Sequence, residues 1–576
     1  MPVGFRGAVL VAPGVASYID DSQAAAAVAP SLQSVGIVGE AERGQPNTAI
    51  AFTDAATAYA VYGNGGTSTP LVDGIVRALA AGAGTVYGVR VAAATQSTAT
   101  ITSSTTTAIT LKSNEWGTLA NTWSVKIETG SSGTGKKATL ITHSGNEYVV
   151  DNVQKNLIQI IGTASSLAGT VTISSTSVSL TWGTGSAVEY TFAAYPRIAN
   201  LISAINNGGA FLASLASGAS AASRQATNTL DTMTTVAVGN STQTVTMLTA
   251  NGKAMVDALN GDITGALVDA TFVANTAALT NAVYPFSNAV SGFATSGDNA
   301  GQSTVGDWAN AFTALENISC SVVVPMTASA TKQAAAFAHA KSMSLPQNSS
   351  ERLAIIGGNV GQTVSQAKTL AGAYNDKRAV VVWPGIKDYN SDGDLVTFPP
   401  YYLAAQIGGM LAGQTDQAEP MTNKPVSLYG LETIPSRADI DNLLNGGVFT
   451  IKSDPNRGFL VVQSLTTWTG DLKFARREIS TVRAADQTVR IVREAVREHI
   501  GGKSTTRLLQ IINMKVNAAL AFCKSRGLIV DDPTNPTLYP AYKDVIVRAV
   551  GDAYYIDFSI SPAKPLNYLL ITAYVN

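Results

Sequence analysis

The sequence predicts a multidomain chain of α/β and α+β character, with a mostly-β domain inserted into an α/β core and extended arms at both ends. Three observations carry this reading. Short continuous apolar runs alternate with helix-patterned segments in two separated stretches, near 34–91 and 305–413, as in sheets covered on both faces. Between them, residues 92–275 are rich in Ser, Thr, Ala and Gly, with short β-like runs. Both ends carry period-two alternation, broken by Pro and Gly rather than by helix signals. On these textures the chain divides into an arm (1–21), a first part of the core (22–91), the insert (92–275), a second part of the core (276–440), a C-terminal domain (441–561) and a terminal arm strand (562–576). A length of 576 residues accommodates three or four units of ~150 residues.

Taken in order, residues 1–21 are small and apolar. Val9, Val11 and Val15 alternate around Pro13-Gly14, and Tyr18 follows before Asp20 and Asp21. Arg6 with the apolar run after it imitates a secretion signal, but Pro13-Gly14 interrupts the run early, so an extended arm that pairs with another sheet is the better reading. VGIVG from Val35 is a buried strand, 53–62 and 70–81 are helices, and 85–91 is a strand. In the insert, 123–129, 138–143 and 170–182 read as strands, with helix near 199–214. The α/β texture returns with strands at 319–325, 353–358 and 378–385, helices at 331–342 and 363–374 between them, and a further helix at 399–413.

Two helices follow. In 486–500, Val489, Val492, Val496 and Ile500 fall at steps of three and four, one apolar stripe, and Gly501-Gly502 ends the helix. In 505–526, Leu509, Ile512, Val516, Leu520 and Cys523 share a face, Ser504 stands at the cap and Gly527 at the left-handed C′ position. Tyr554, Ile556, Phe558 and Ile560 then alternate on one side of a strand. After Pro562 and Pro565 a last strand, 567–575, carries Tyr568, Leu569, Ile571 and Val575.

Catalytic patterns fail on inspection. GSSGTGKK (130–137) satisfies the glycine and lysine spacing of a phosphate-binding loop, but Lys137 stands where a hydroxyl should hold magnesium and a strand follows instead of a helix, so a hairpin tip is expected. DYNSDGD (388–394) matches half of a calcium loop, yet Pro399 occupies the position of the bidentate Glu, which favours a surface Asp-Gly turn. His143, His339 and His499 lie in different segments without ligand-spaced neighbours, and no G-x-S-x-G joins a strand to a helix. No cofactor, metal or catalytic residue is expected. Cys320 and Cys523 are too few for a disulfide framework, and no apolar run approaches the ~20 residues of a membrane span.

Only 13% of residues are charged, about half the usual share of roughly 25%. From Ile451 onward, 17 Lys plus Arg stand against 11 Asp plus Glu, a surplus of six that leaves −7 on the remainder. Arg483, Arg490, Arg493 and Arg497 recur at steps of seven, three and four, and Lys503 and Arg507 extend them, so a basic helix side meeting an acidic partner is expected. Local pairing with Asp486 and Glu494 is the plainer alternative for any one arginine. No nucleic-acid-binding motif accompanies the surplus, which favours a protein partner.

The run LLNGGVFTIKSDPNRGFLVVQSLTT (443–467) and the helix after it resemble the C-terminal domain of contractile, myovirus-type phage tail sheath proteins. APGVASYID (12–20) is similar to the N-terminal arm of that family, with Ala16 where the family often has an aromatic. SVGIVGEAERGQPN (34–47), with Phe52 and Tyr62-Gly63, is similar to its opening segment. The resemblance covers roughly 8–90 and 280–576. It implies a tail-sheath core with a protruding inserted domain, polymerising as stacked rings around an inner tube and contracting to drive that tube through a host envelope. Its implied partners are other copies of itself, the inner tail tube protein, and baseplate and tail terminator proteins, in a virion tail assembled in the host cytoplasm, without nucleic acid or membrane. Val9, Val11, Val15, Tyr18, Tyr568, Leu569, Ile571 and Val575 would be inter-subunit arm strands, and the six basic residues above would face the tube. A secreted or surface-layer β-rich adhesin, suggested by the Ser/Thr-rich insert, is the alternative; a nucleotide hydrolase resting on Gly130 to Lys137 is a third.

Overall fold

The computed structural model describes residues 3–5, 8–10, 34–91, 94–163, 169–219, 223–239, 245–289, 303–390, 393–471 and 473–573. The chain forms two compact units, one of Met1–Ala41, Asn47–Val91 and Ser296–Asn576, the other of Glu42–Pro46 and Ala92–Thr295.

The first unit is built on one eight-stranded sheet. In chain order its strands are β1 (Ser34–Gly39), β2 (Ala49–Phe52), β3 (Thr85–Arg90), β4 (Val322–Pro325), β5 (Leu353–Gly357), β6 (Ala379–Trp383), β7 (Val448–Asp454) and β8 (Gly458–Gln463), arranged β8-β7-β6-β5-β4-β1-β3-β2. The six central strands are parallel, and β2 and β8 close the two edges antiparallel. The apolar runs are fully buried because their alternate residues enter different cores. Val35, Ile37, Val322, Val324, Ile355, Val380 and Val382 face one layer; Val38, Val323, Ala354, Ile356, Val381 and Trp383 face the other. The first layer is covered by α1 (Pro70–Ala80), the second by α2 (Val305–Thr313), α3 (Ala330–Met343) and α4 (Val364–Tyr374), and α5 (Pro400–Gly413) joins α1 on the first. The strands thus read as buried on both faces, as expected of a parallel sheet.

Helix α5 has no solvated stripe: twelve of its fourteen residues are buried. Glycines make this possible. A Cβ at Gly409 would stand 2.3 Å from the carbonyl oxygen of Ala78 on α1, and one at Gly413 would stand 2.4 Å from that of Gly82. The helices therefore approach backbone to backbone. Replacing Gly409 with Val is expected to push them apart and cost about 3 kcal/mol, the upper part of the usual overpacking range, read as a lowered midpoint in thermal or urea unfolding.

The second unit holds two separate apolar cores. One lies among the sheets containing Gln96–Ser103, Thr106–Trp116, Ser124–Thr129 and Lys136–Ile141, with the helix Asn251–Leu259. The other lies among the sheets containing Asn156–Gly162, Gly169–Ile173 and Ser177–Trp182, with the helix Ile198–Asn207. The β-like run 170–182 is an antiparallel hairpin. Of 199–214, only the first part is helix, and Phe211–Leu215 is a strand.

Helices α6 (Ile479–Arg497) and α7 (Thr506–Ser525) follow the sheet, and a ribbon of β9 (Tyr542–Val550) and β10 (Ala553–Ile560) follows them. The cap of α7 is Thr505, whose hydroxyl oxygen accepts from the Leu508 amide at 3.1 Å; Ser504, expected there, instead bonds the Tyr554 hydroxyl at 3.0 Å. Gly527 takes φ +74 as its position requires.

Candidate assembly interface

The motifs that suggested chemistry fall in hairpins, turns and the core, with Ser391 and Asp392 outside the described residues. Gly130 to Gly135 is the tip of the hairpin between Ser124–Thr129 and Lys136–Ile141, closed by the Gly130 amide donating to Gly135, and Lys136 donates to Asn281 Oδ1 at 2.7 Å. Asp388 belongs to the hairpin strand Ile386–Tyr389 and pairs with Arg77 at 2.7 Å. His339 is buried against Phe312, ring centroids 5.5 Å apart, and accepts from Arg352 at 2.7 Å. Burial, then the Arg352 charge, pull it down to about 3, so it stays neutral. His143 is exposed in a turn of the insert. Among the described residues no cluster of three or more His, Cys, Asp or Glu is placed to hold a metal ion, and no helix is long and apolar enough to cross a membrane.

The C-terminal region carries the unusual features. Helix α6 is gripped from two sides. Its apolar side keeps half of the stripe read from 489–500: Val492 is buried with Ala484 and Ile491 against Ile512, Val516, Leu520 and Cys523 of α7, and Val496 packs there half-buried, while Val489 is exposed and Ile500, beyond the helix end, is 84% exposed. The other side is a line of charged residues that dock on the α/β body. Arg378, at the amino end of β6, donates to both carboxylate oxygens of Asp486, one of the contacts being 2.9 Å. Glu351, just before β5, accepts from both Arg490, at 3.4 Å, and Arg493. Arg493 also donates to the Ser349 carbonyl. Arg483 donates to the Leu411 carbonyl at 2.6 Å and to the side-chain oxygens of Gln414 and Gln417, at the carboxyl end of α5. That end carries the negative pole of the helix dipole, which offsets part of the cost of burying a guanidinium. Burial pulls Arg483 down to about 10.

This corrects the expectation of a basic face. Of the six basic candidates, Arg483 is buried and Arg490 and Arg493 are spent on Glu351, so none of these three presents an open charge. Arg497 is 73% exposed and pairs at 3.5 Å with Glu494, and Lys503 and Arg507 are exposed. The reason is that positions 483, 486, 490 and 493 share one helix side, and helical spacing cannot tell a solvated side from one that meets another layer.

The ribbon packs Tyr554, Ile556, Phe558 and Ile560 toward α7, the side expected from their alternation. It has two strands, and among the described residues no third strand joins it. After it the chain is not a strand. Residues 561–573 run without regular structure, and Leu566, Tyr568, Leu569, Leu570 and Ile571 are 74–93% exposed. The expectation of a strand over 567–575 therefore fails within this subunit for 567–573, because a strand needs a partner edge and none lies beside it. Val575 lies outside the described residues. At the other end, Val9 lies in Ala8–Leu10, which pairs antiparallel with Val3–Phe5 of the same chain rather than with another sheet. Val11, Val15 and Tyr18 lie outside the described residues.

The comparisons with known proteins agree with the fold. Residues 273–467 match the family model described as the phage tail sheath protein central domain. The chain is 25% identical to the tail sheath protein of Bacillus phage SP01, over 99% of this chain and 96% of that protein. It is 27% identical to a putative tail sheath protein of Enterococcus phage phiEF24C, over 96% and 95% respectively. Among solved structures, a sheath tail protein of Desulfitobacterium hafniense has the same fold at TM-score 0.54 and 13% identity, covering 96% of this chain and 97% of that one. A sheath tail protein of Listeria innocua matches at TM-score 0.54 and 14% identity, over 94% and 96%. The class these matches share is the phage tail sheath protein. Residues 273–467 thus match the central domain of phage tail sheath proteins, and nearly the whole chain is similar to members of that family.

Proposed function

We propose that the chain is a non-enzymatic sheath subunit that stacks as rings around an inner tail tube and shortens to drive that tube through the host envelope. The observation that carries the assembly part is a pair of complementary open groups on one molecule. The β9–β10 ribbon is a two-stranded sheet, marginal by itself, and five apolar side chains on 566–571 stand in solvent beyond it. A strand lent by one copy to the ribbon of the next would remove both deficits through backbone pairing, which fixes register and tolerates rotation of the bodies it joins. Among the described residues Ala8–Leu10 pairs on one edge only, with Val3–Phe5, and its other edge would serve in the same way. Arg497, Lys503 and Arg507 are the tube-facing residues in this proposal, held by charge that separates without breaking a dry apolar contact. Baseplate and terminator proteins would engage the same ribbon edges at the two ends of the cylinder, in a virion tail assembled in the host cytoplasm.

Electron microscopy of the purified protein tests this. Hollow tubes or stacked rings are expected, and a protein that stays monomeric at high concentration would overturn it.

A further inference from the structure

The segment between the ribbon and the exposed tail is tied down step by step. The Ser561 amide donates to Ala541 at 2.9 Å, Val530 donates to the Ser561 carbonyl at 3.0 Å, and the Ala563 amide donates to Leu528 at 3.0 Å. The Thr481 hydroxyl, on α6, donates to the Ala563 carbonyl at 3.1 Å. The last tie is Asn567. Its amide nitrogen donates to Glu478 Oε1 at 2.8 Å, and its amide oxygen accepts from the Thr422 hydroxyl at 3.1 Å. Glu478 is fully buried, and Gln463 at the end of edge strand β8 donates to the same oxygen at 2.6 Å. Asn567 is half-buried, and every described residue after it is exposed.

We propose that Asn567 is the pin at which the C-terminal arm leaves its own subunit, a positioning residue that makes everything from Tyr568 onward available to a second copy of this chain. The inference rests on the arm reading above and deepens it. Pro562 and Pro565 fall inside the tethered stretch, so the hinge lies after Asn567 rather than at the prolines. A fixed root matters because strand addition depends on register. Six described residues beyond the pin span ~20 Å extended, and slippage of the root by one residue would turn every side chain to the wrong face. The pin is built for this, since a side-chain amide held at both its donor and its acceptor end has one rotamer available. A buried carboxylate that has already lost its water makes the donor bond costly to leave unmade.

Asn567→Asp keeps the acceptor for Thr422 and sets a carboxylate against Glu478. Faster amide hydrogen exchange over 561–567 in the monomer is expected, with a rise of about tenfold or more in the concentration needed to form tubes, matching loss of one hydrogen bond to a charged group. Adding Glu478→Gln removes one of the two facing charges while its amide oxygen still accepts from Gln463, and should return both readouts part of the way toward wild type. Asn567→Ala removes the side chain without adding charge and covers the case in which the Asp variant fails to fold. If Asn567→Asp and Asn567→Ala both exchange and assemble as wild type while a chain ending at Asn567 does not assemble, the pin is wrong and the arm stands. If the chain ending at Asn567 assembles as wild type, the arm reading itself is wrong. The exchange experiment needs no polymer, so it tests the pin even if the arm reading fails.

Discussion

Removing residues 568–576, or residues 1–20, is expected to leave a folded, soluble monomer that no longer forms tubes. The thermal midpoint should move little in the first case, because residues 568–573 are exposed and touch none of the five apolar cores. Exposed chain of this kind contributes almost nothing to stability, and surface changes usually stay within ±0.5 kcal/mol. The effect on assembly should be close to complete, since each copy both lends a strand and receives one and a single missing arm breaks the connection at every site. Sedimentation velocity with circular dichroism on the same samples separates the two quantities. Tubes of wild-type length from either truncation would refute the arm mechanism, and unfolding of the shortened chain would show that the tail contributes to its own subunit after all.

The second large effect is expected at Glu351. Its carboxylate lies between Arg490 and Arg493 with 10% of the side chain exposed, and Glu351→Lys would leave two guanidiniums facing an ammonium at the junction of α6 and the sheet. Breaking a buried ion pair from one side costs ~3–5 kcal/mol. The low end, about 3 kcal/mol, is expected because Arg493 is 35% exposed and water screens its share. Arg497→Ala, which removes an exposed pair one helix turn long, should cost no more than ~0.5 kcal/mol. The seam also has a pH signature. Burial raises the Glu351 carboxyl, but its own backbone amide and the two arginines outweigh burial and hold it below 4.5. Burial pulls Arg490 the other way, below its ordinary value, yet a guanidinium stays charged throughout, so the carboxylate carries the pH dependence. The seam therefore contributes fully above pH 4.5 and is lost as pH falls through the depressed value. Glu40 and Glu478 act oppositely, since burial raises both and their contribution declines as pH climbs above 4.5. The difference in urea stability between wild type and Glu351→Lys, followed from pH 7 to pH 3, cancels those common contributions. It should shrink toward the acid end, and a constant difference would remove Glu351 from the seam.

The parallel sheet was legible in the chain because a strand buried on both faces must be apolar at every position, and VVVP, LAIIG and AVVVW have no other physical use. Helix α7 was legible for the converse reason: Ile512, Val516, Leu520 and Cys523 bury one side only, so its periodicity survives in the sequence. Helix α6 was misread on its charged side. It is wedged between two layers, and the layer on its charged side is built from Glu351 and Arg378, more than a hundred residues earlier in the chain. No local pattern records such a partner. Arg483, Arg490 and Arg493, half of the basic residues that suggested an open surface, instead hold α6 to the body.

What the amino-acid sequence determined alone is a set of local choices: the buried strands of the parallel sheet, which side of α7 is apolar, and that GSSGTGKK turns a hairpin instead of cradling a phosphate. Those follow from steric and hydrogen-bonding rules acting over a few residues. Only the tertiary structure decided what each polar side faces and where the tail comes free, at Asn567, because burial and pairing depend on residues that folding alone brings within hydrogen-bond distance.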